Sequence, residues 1–102
     1  MEKPFAYRIF RQGGETLLAI ADADIIGKTF AGEGMQLEVA PEFYAGQVCT
    51  TEDVAGLVRS ATIVNAAGER VVELLVREGM VSKDMVLRVG NVPHAQIIML
   101  GK

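Results

Sequence analysis

The sequence predicts an α+β domain, a mainly antiparallel sheet with two helices packed on one face. Three observations carry this. Two strand-like segments flank Gly13-Gly14 near the N-terminus. Apolar residues recur at helical spacing through the middle of the chain, and strand-like composition returns before and after Gly90. Strands and helices that are segregated along a chain favour helices laid on a sheet over an alternating parallel fold.

The first strand is expected from Phe5 to Gln12 and the second from Glu15 to Ala21. Two glycines between them permit a tight hairpin turn. A two-residue turn places Phe10 opposite Leu17 and Ile9 opposite Leu18. One helical turn follows from Asp22 to Gly27, with Asp22 as its cap and Gly27 as its end. A short strand is expected from Lys28 to Ala31, then a break at Gly32-Glu33-Gly34. Residues 35–40 alternate, so Met35, Leu37 and Val39 share one face of a half-buried strand.

Pro41 to Gly46 reads as a turn-rich connector, with Phe43 in the core and Tyr44 as a half-exposed lid. Thr50 and Asp53 form a capping box with Asp in place of the usual Glu or Gln. Behind it Val54, Leu57, Val58 and Ala61 fall at helical spacing. Asn65 or Gly68 interrupts this helix and separates it from a second one that runs to about Glu78. Val71, Val72, Leu74, Leu75 and Val76 give that helix a broad apolar face, and Gly79 is its C′ glycine. Val86 to Val89 is a strand. Gly90 to Gln96 is a loop, and Ala95 to Leu100, apolar on both faces, is a central strand.

Composition bounds the function. The 102 residues make one domain over residues 1–102, and half of them are apolar. Ten Lys and Arg are scattered among thirteen Asp and Glu, for a net charge of −3. That balance disfavours unspecific nucleic-acid binding and an anionic membrane surface. A single Cys excludes an internal disulfide, and one Cys with one His does not make a zinc site. No metal site and no cofactor is expected. The N-terminus shows no signal peptide and no apolar run approaches the length of a membrane span, so a cytoplasmic protein is expected.

His94 is the first candidate for chemistry. It is the only histidine, Pro93 fixes the backbone before it, and Gln96 offers an amide beside it. An imidazole there can serve as acid or base, or contact a partner; the plain alternative is a histidine that opens a strand and satisfies a carbonyl. Cys49 precedes a helix N-terminus, which favours a thiolate, but a free cysteine is usually a small buried apolar residue. Glu69, Arg70, Glu73 and Arg77 fall at helical pair spacings. They read as a solvated face with Glu–Arg pairs worth about 0.2–0.5 kcal/mol each, with Glu69 and Arg70 the better functional candidates. The glycine pairs match neither a P-loop nor a dinucleotide fingerprint.

Six segments in order carry a family resemblance: Leu18-Ala-Ile-Ala-Asp22, Gly27-Lys-Thr-Phe30, Glu42-Phe-Tyr-x-Gly46, Ala61-Thr-Ile-x-Asn65, Gly68-Glu-Arg70 and Val92-Pro-His-Ala-Gln96. Together they resemble the archaeal family catalogued as domain of unknown function 424, over nearly the whole chain. The resemblance implies a small, single-domain, cytosolic archaeal protein and implies no particular activity. It directs attention to Asn65, Glu69, Arg70, His94 and Gln96, the polar positions inside these motifs, with Tyr44 at an aromatic edge and Lys28 nearby. These seven residues are expected to form one binding surface, where a helix start meets the last hairpin. The function expected is a binding or adaptor module, with RNA or the translation machinery as the partner. A small enzyme using His94 and a structural homodimer are the alternatives.

Overall fold

A computed structural model describes residues 2–99 as an α+β domain. Its main sheet has six strands in the order β5-β1-β2-β6-β8-β7. They are β1 (Phe5–Gln12), β2 (Glu15–Asp22), β5 (Gln47–Cys49), β6 (Ile63–Ala67), β7 (Leu87–Val89) and β8 (Val92–Ile98). Only β2 and β6 run parallel; the other four neighbouring pairs are antiparallel. The hairpin register is the expected one, with Phe10 opposite Leu17 and Ile9 opposite Leu18.

Helices α2 (Thr51–Arg59) and α3 (Glu69–Arg77) both cover one face of this sheet. Strand alternation explains how. Leu18 and Ile20 of β2, Val64 and Ala66 of β6 and Ala95 of β8 point to the helices and meet Val54, Val58, Val71 and Leu75. Burying each of these larger side chains is worth about 1.5–3 kcal/mol. Thr50 caps α2 in the expected box, its N–H donating to Asp53 Oδ2 at 3.2 Å. Gly79 follows α3 at φ +74°, as a C′ glycine should.

On the opposite face of β2 and β6, Ala19, Ala21 and Ala67 are all fully buried. Their small size lets a second layer approach. It consists of a 3₁₀ turn (Ala23–Ile25), the hairpin β3 (Thr29–Gly32) and β4 (Met35–Glu38), and the single-turn α1 (Pro41–Tyr44). Val39 and Tyr44 fill the space over the alanines, with Phe30, Leu37 and Phe43 packed beside them.

Several expectations are corrected. Residues 63–67 form no part of a helix; they are strand β6, in the middle of the sheet and parallel to β2. A five-residue stretch with four apolar residues fits either period, and here burial on both sides selects the strand. The element order is therefore not strands, then helices, then strands. The connector before residue 50 contains α1 and the short strand β5. The aromatic pair is reversed: Tyr44 is 3% exposed and Phe43 is only part-buried. Only Gly90-Asn91 makes a turn, so His94 lies inside β8 rather than in a loop. Strand β7 reaches no further than His94, so residues 95–98 form an open edge instead of a central strand. Leu100, the expected end of that strand, lies outside the described residues.

Candidate functional site

The site grows from β6 and β8, which pair in antiparallel register with Asn65 opposite Gln96 and Ala67 opposite His94. Side chains alternate along each strand. Val64, Ala66 and Ala95 face the helices, so Asn65, His94 and Gln96 face the other way, toward the second layer. Alpha-helix α1 brings Tyr44 to the same place. Pro41 at its first position sets the start of the turn, and Tyr44 packs over Ala19, Ala21 and Ala67.

The polar ends of these side chains meet. The Tyr44 hydroxyl donates to Asn65 Oδ1 at 2.6 Å, and His94 Nε2 lies 2.8 Å from the same oxygen. A carbonyl oxygen only accepts, so the imidazole carries its proton on Nε2 and leaves Nδ1 as a lone pair. Burial lowers the His94 pKa below its ordinary 6.5 and holds the ring neutral at physiological pH. Burial also pushes the Tyr44 phenol up to about 12, so it remains a donor. Asn65 is thus a fixed hub with both lone pairs of its oxygen in use. Its amide nitrogen, His94 Nδ1 and the exposed Gln96 amide bond to no other group among the described residues.

Beside this network the sheet face stays open. One ladder step away runs an apolar row of Phe10, Leu17, Ile63 and Ile98, each opposite the next across four strands. Phe10 and Ile98, at the ends, are 37% and 64% exposed. Phe43 stacks on Phe10 with ring centres 5.5 Å apart and meets Tyr44 edge-on at 4.9 Å.

The other expected site residues fall elsewhere. Glu69 opens α3 on the helix side of the sheet and pairs with Arg88 at 3.0 Å. Arg88 faces Pro93 in the ladder and so points away from the His94 face. With both side chains more than half exposed, this pair is worth about 0–1 kcal/mol. Arg70 is exposed at the same helix start, and its backbone N–H donates to Asp22 Oδ2. Lys28 is exposed between the 3₁₀ turn and β3. The single expected surface therefore divides: Tyr44, Asn65, His94 and Gln96 share the open face, whereas Glu69 lies across the sheet from it. The chain turns at Gly68 from β6 into α3, which packs on the helix face, whereas strand parity turns Asn65 and His94 to the other face.

Sequence reasoning missed the role of Asp22. It does not cap the turn that follows it; its Oδ1 and Oδ2 accept from the N–H groups of Val71 and Arg70 at 2.8 and 2.9 Å and so cap α3. No local signal pairs residues 48 positions apart. Cys49 is buried, and burial, with a smaller contribution from Asp53, pushes its thiol up to about 11. The bland reading of this cysteine therefore holds. No cluster of His, Cys, Asp and Glu suited to a metal ion occurs among the described residues, and no helix among them is long and apolar enough to cross a membrane.

Comparison with known proteins agrees with this fold. The model of the family described as "Protein of unknown function (DUF424)" matches residues 10–100. The crystal structure of an uncharacterized conserved protein from Methanopyrus kandleri is similar, with a TM-score of 0.80 and 26% sequence identity. The likeness covers 96% of this chain and 93% of that one. No curated protein matches the chain.

Proposed function

The chain belongs to the family of unknown function DUF424, and from the site itself we propose that it is a small binding module whose contact surface is the open sheet face around Tyr44, Asn65, His94 and Gln96. The observation that supports this most is the doubly bonded Asn65 oxygen. A network whose central acceptor is fully used holds its members still and presents a fixed set of outward donors and acceptors. Fixed polar groups beside an apolar strip suit recognition. No nucleophile is bonded to the His94 ring among the described residues, so its free Nδ1 is read here as a recognition group.

The proposed partner is single-stranded RNA. Unpaired bases offer flat faces for aromatic stacking and edges for amide hydrogen bonds. The Phe10–Phe43 pair supplies the first, and Gln96, Asn65 and His94 supply the second. With a net charge of −3, affinity comes mainly from base contacts, and the salt dependence is shallow. Fluorescence anisotropy with labelled single-stranded RNA at low salt tests this. Binding that Gln96→Ala and Phe10→Ala each weaken supports the reading. No binding at low salt removes RNA as partner, and binding untouched by both substitutions removes this face.

A homodimer is the second reading, favoured by the open edge of β8. Met99 N–H donates to Thr62, and Gly68 N–H donates to Pro93, so odd-numbered residues of β8 bond to β6. Gln96 and Ile98 therefore turn their backbone groups outward, beyond the end of β7. Residues 95–99 carry no charge to guard this edge. Light scattering at twice the single-chain mass would support pairing of two copies there; the single-chain mass at high concentration would end it.

A further inference from the structure

The other end of the sheet holds a second unguarded length of backbone, and it is cationic. Strand β5 pairs with β1 only as far as Tyr7, opposite Gln47. The phase of the ladder shows what is left over. Ala23 N–H donates to Pro4 across the β1–β2 pair, so even-numbered residues of β1 bond toward β2. Odd-numbered residues bond outward. Phe5 and Tyr7 meet β5 there, but the N–H and C=O groups of Ile9 and Arg11 have no backbone partner among the described residues.

A hollow opens at this step, lined by Tyr7, Arg8, Ile9, Arg11, Gly46 and Gln47. It has two arginines and no acid, in a chain of net charge −3. Neither arginine forms an ion pair among the described residues. Arg8 donates once, from Nη2 to the Ala45 carbonyl at 3.0 Å, and its buried Nε has no acceptor. The two guanidiniums leave β1 from opposite faces, because residues 8 and 11 have opposite parity. Gly46 sits against Arg8, with no side chain to fill the step.

We propose that this step is a docking site for an extended acidic peptide segment of a protein partner, which adds to the sheet as a strand beside Ile9 and Arg11. Backbone bonds to those two residues supply affinity, as in other cases of strand addition. Specificity comes from the side chains. In an antiparallel pair, opposed residues share a face. A carboxylate opposite Arg11 lies on the helix side of the sheet, apolar residues fit opposite Ile9 and Phe10, and a carboxylate past Ile9 reaches Arg8. The motif is therefore an acidic residue, two apolar residues and a second acidic group, running antiparallel to β1. The opposing possibility is that the arginines only protect the edge, since charged side chains blunt exposed strands.

The test uses two blocked octapeptides, one with the repeat glutamate-valine-valine-glutamate and one with the repeat lysine-valine-valine-lysine, with the intact chain. Amide hydrogen exchange and chemical shifts are followed at Ile9 and Arg11. The glutamate peptide is expected to protect both amides and to bind about tenfold more weakly to Arg11→Glu, while the lysine peptide gains affinity for that variant. Arg11 is exposed, so the variant folds, and unchanged shifts elsewhere in the spectrum verify this. Absence of protection at Ile9 and Arg11 at saturating glutamate peptide, or equal binding by the wild type and Arg11→Glu, overturns the proposal and leaves the arginines as an edge guard.

Discussion

Asn65 and His94 are bonded across one register step: the ladder sets Asn65 opposite Gln96, yet its Oδ1 lies 2.8 Å from Nε2 of His94. The same oxygen accepts from Tyr44, so one side chain ties the sheet to the layer above it. Asn65→Ala leaves two part-buried donors without their acceptor. The expected loss is about 1–3 kcal/mol of stability, read from urea unfolding. Tyr44→Phe removes one donor and leaves the acceptor half used, at about 1 kcal/mol. Equal stability of wild type and Asn65→Ala would show that the network carries no energy.

The imidazole gives a pH signature. Burial lowers the folded-state pKa of His94 below 6.5, so between the two values the unfolded chain binds more protons. The stability that His94 contributes is present above pH 6.5 and is lost as the pH falls from there through the folded pKa. Wild type and His94→Gln are expected to show different slopes of unfolding free energy between pH 7.5 and 5, with the wild type losing more. Parallel curves would contradict this. Asn65→Asp keeps the acceptor oxygen and adds a negative charge beside the ring, which favours the imidazolium. In that variant the ring should titrate at higher pH than in the wild type, as seen by its carbon-bound proton shifts.

Asp22 and Gly68 form a matched pair. The Asp22 side chain occupies the space where a Cβ on Gly68 would lie, and Gly68 adopts φ +123°. Gly68→Ala therefore meets both a clash and a disfavoured backbone. Asp22→Ala instead removes the two acceptors for Arg70 and Val71 N–H. Loss of such a cap costs about 0.5–2 kcal/mol. Burial is the largest influence on the Asp22 pKa and raises it above 3.8, against the lowering effect of the two N–H bonds. A raised carboxyl pKa reduces the stabilisation as pH climbs through it. Asp22→Ala should thus lose less stability at neutral pH than at pH 3, relative to wild type. The opposite ordering would refute the assignment.

What the sequence made legible was local. The hairpin at Gly13-Gly14, the Thr50–Asp53 box and the Gly79 terminus each depend on residues within a few positions of one another, and each is present. The family motifs placed Tyr44, Asn65, His94 and Gln96 among the residues to examine, and these four share a face. What stayed hidden was long-range. Strand β6 is specified by burial between β2 and β8, which its own five residues do not announce. Asp22 finds its donors 48 residues away. The separation of Glu69 from His94 follows from strand parity, which cannot be assigned until Ile63–Ala67 is known to be a strand.

The same long-range packing decides the chemistry of Cys49. A cysteine one residue before an N-cap has the helix dipole on its side, which lowers a thiol pKa. Burial opposes it, and the Asp53 carboxylate, held nearby by the capping box, adds repulsion. The net direction is upward, from 9.0 to about 11. With 4% exposure the residue is also shielded from solvent. The folded protein should therefore react with a disulfide reagent at pH 8 orders of magnitude more slowly than the urea-unfolded chain. Because the folded thiol holds its proton longer than the unfolded one, the stability due to Cys49 is intact below pH 9.0 and declines as the pH rises toward 11. Cys49→Ala should flatten that alkaline decline. Rapid modification of the folded wild type at pH 8 would instead identify an activated, accessible thiol and reopen the nucleophile reading.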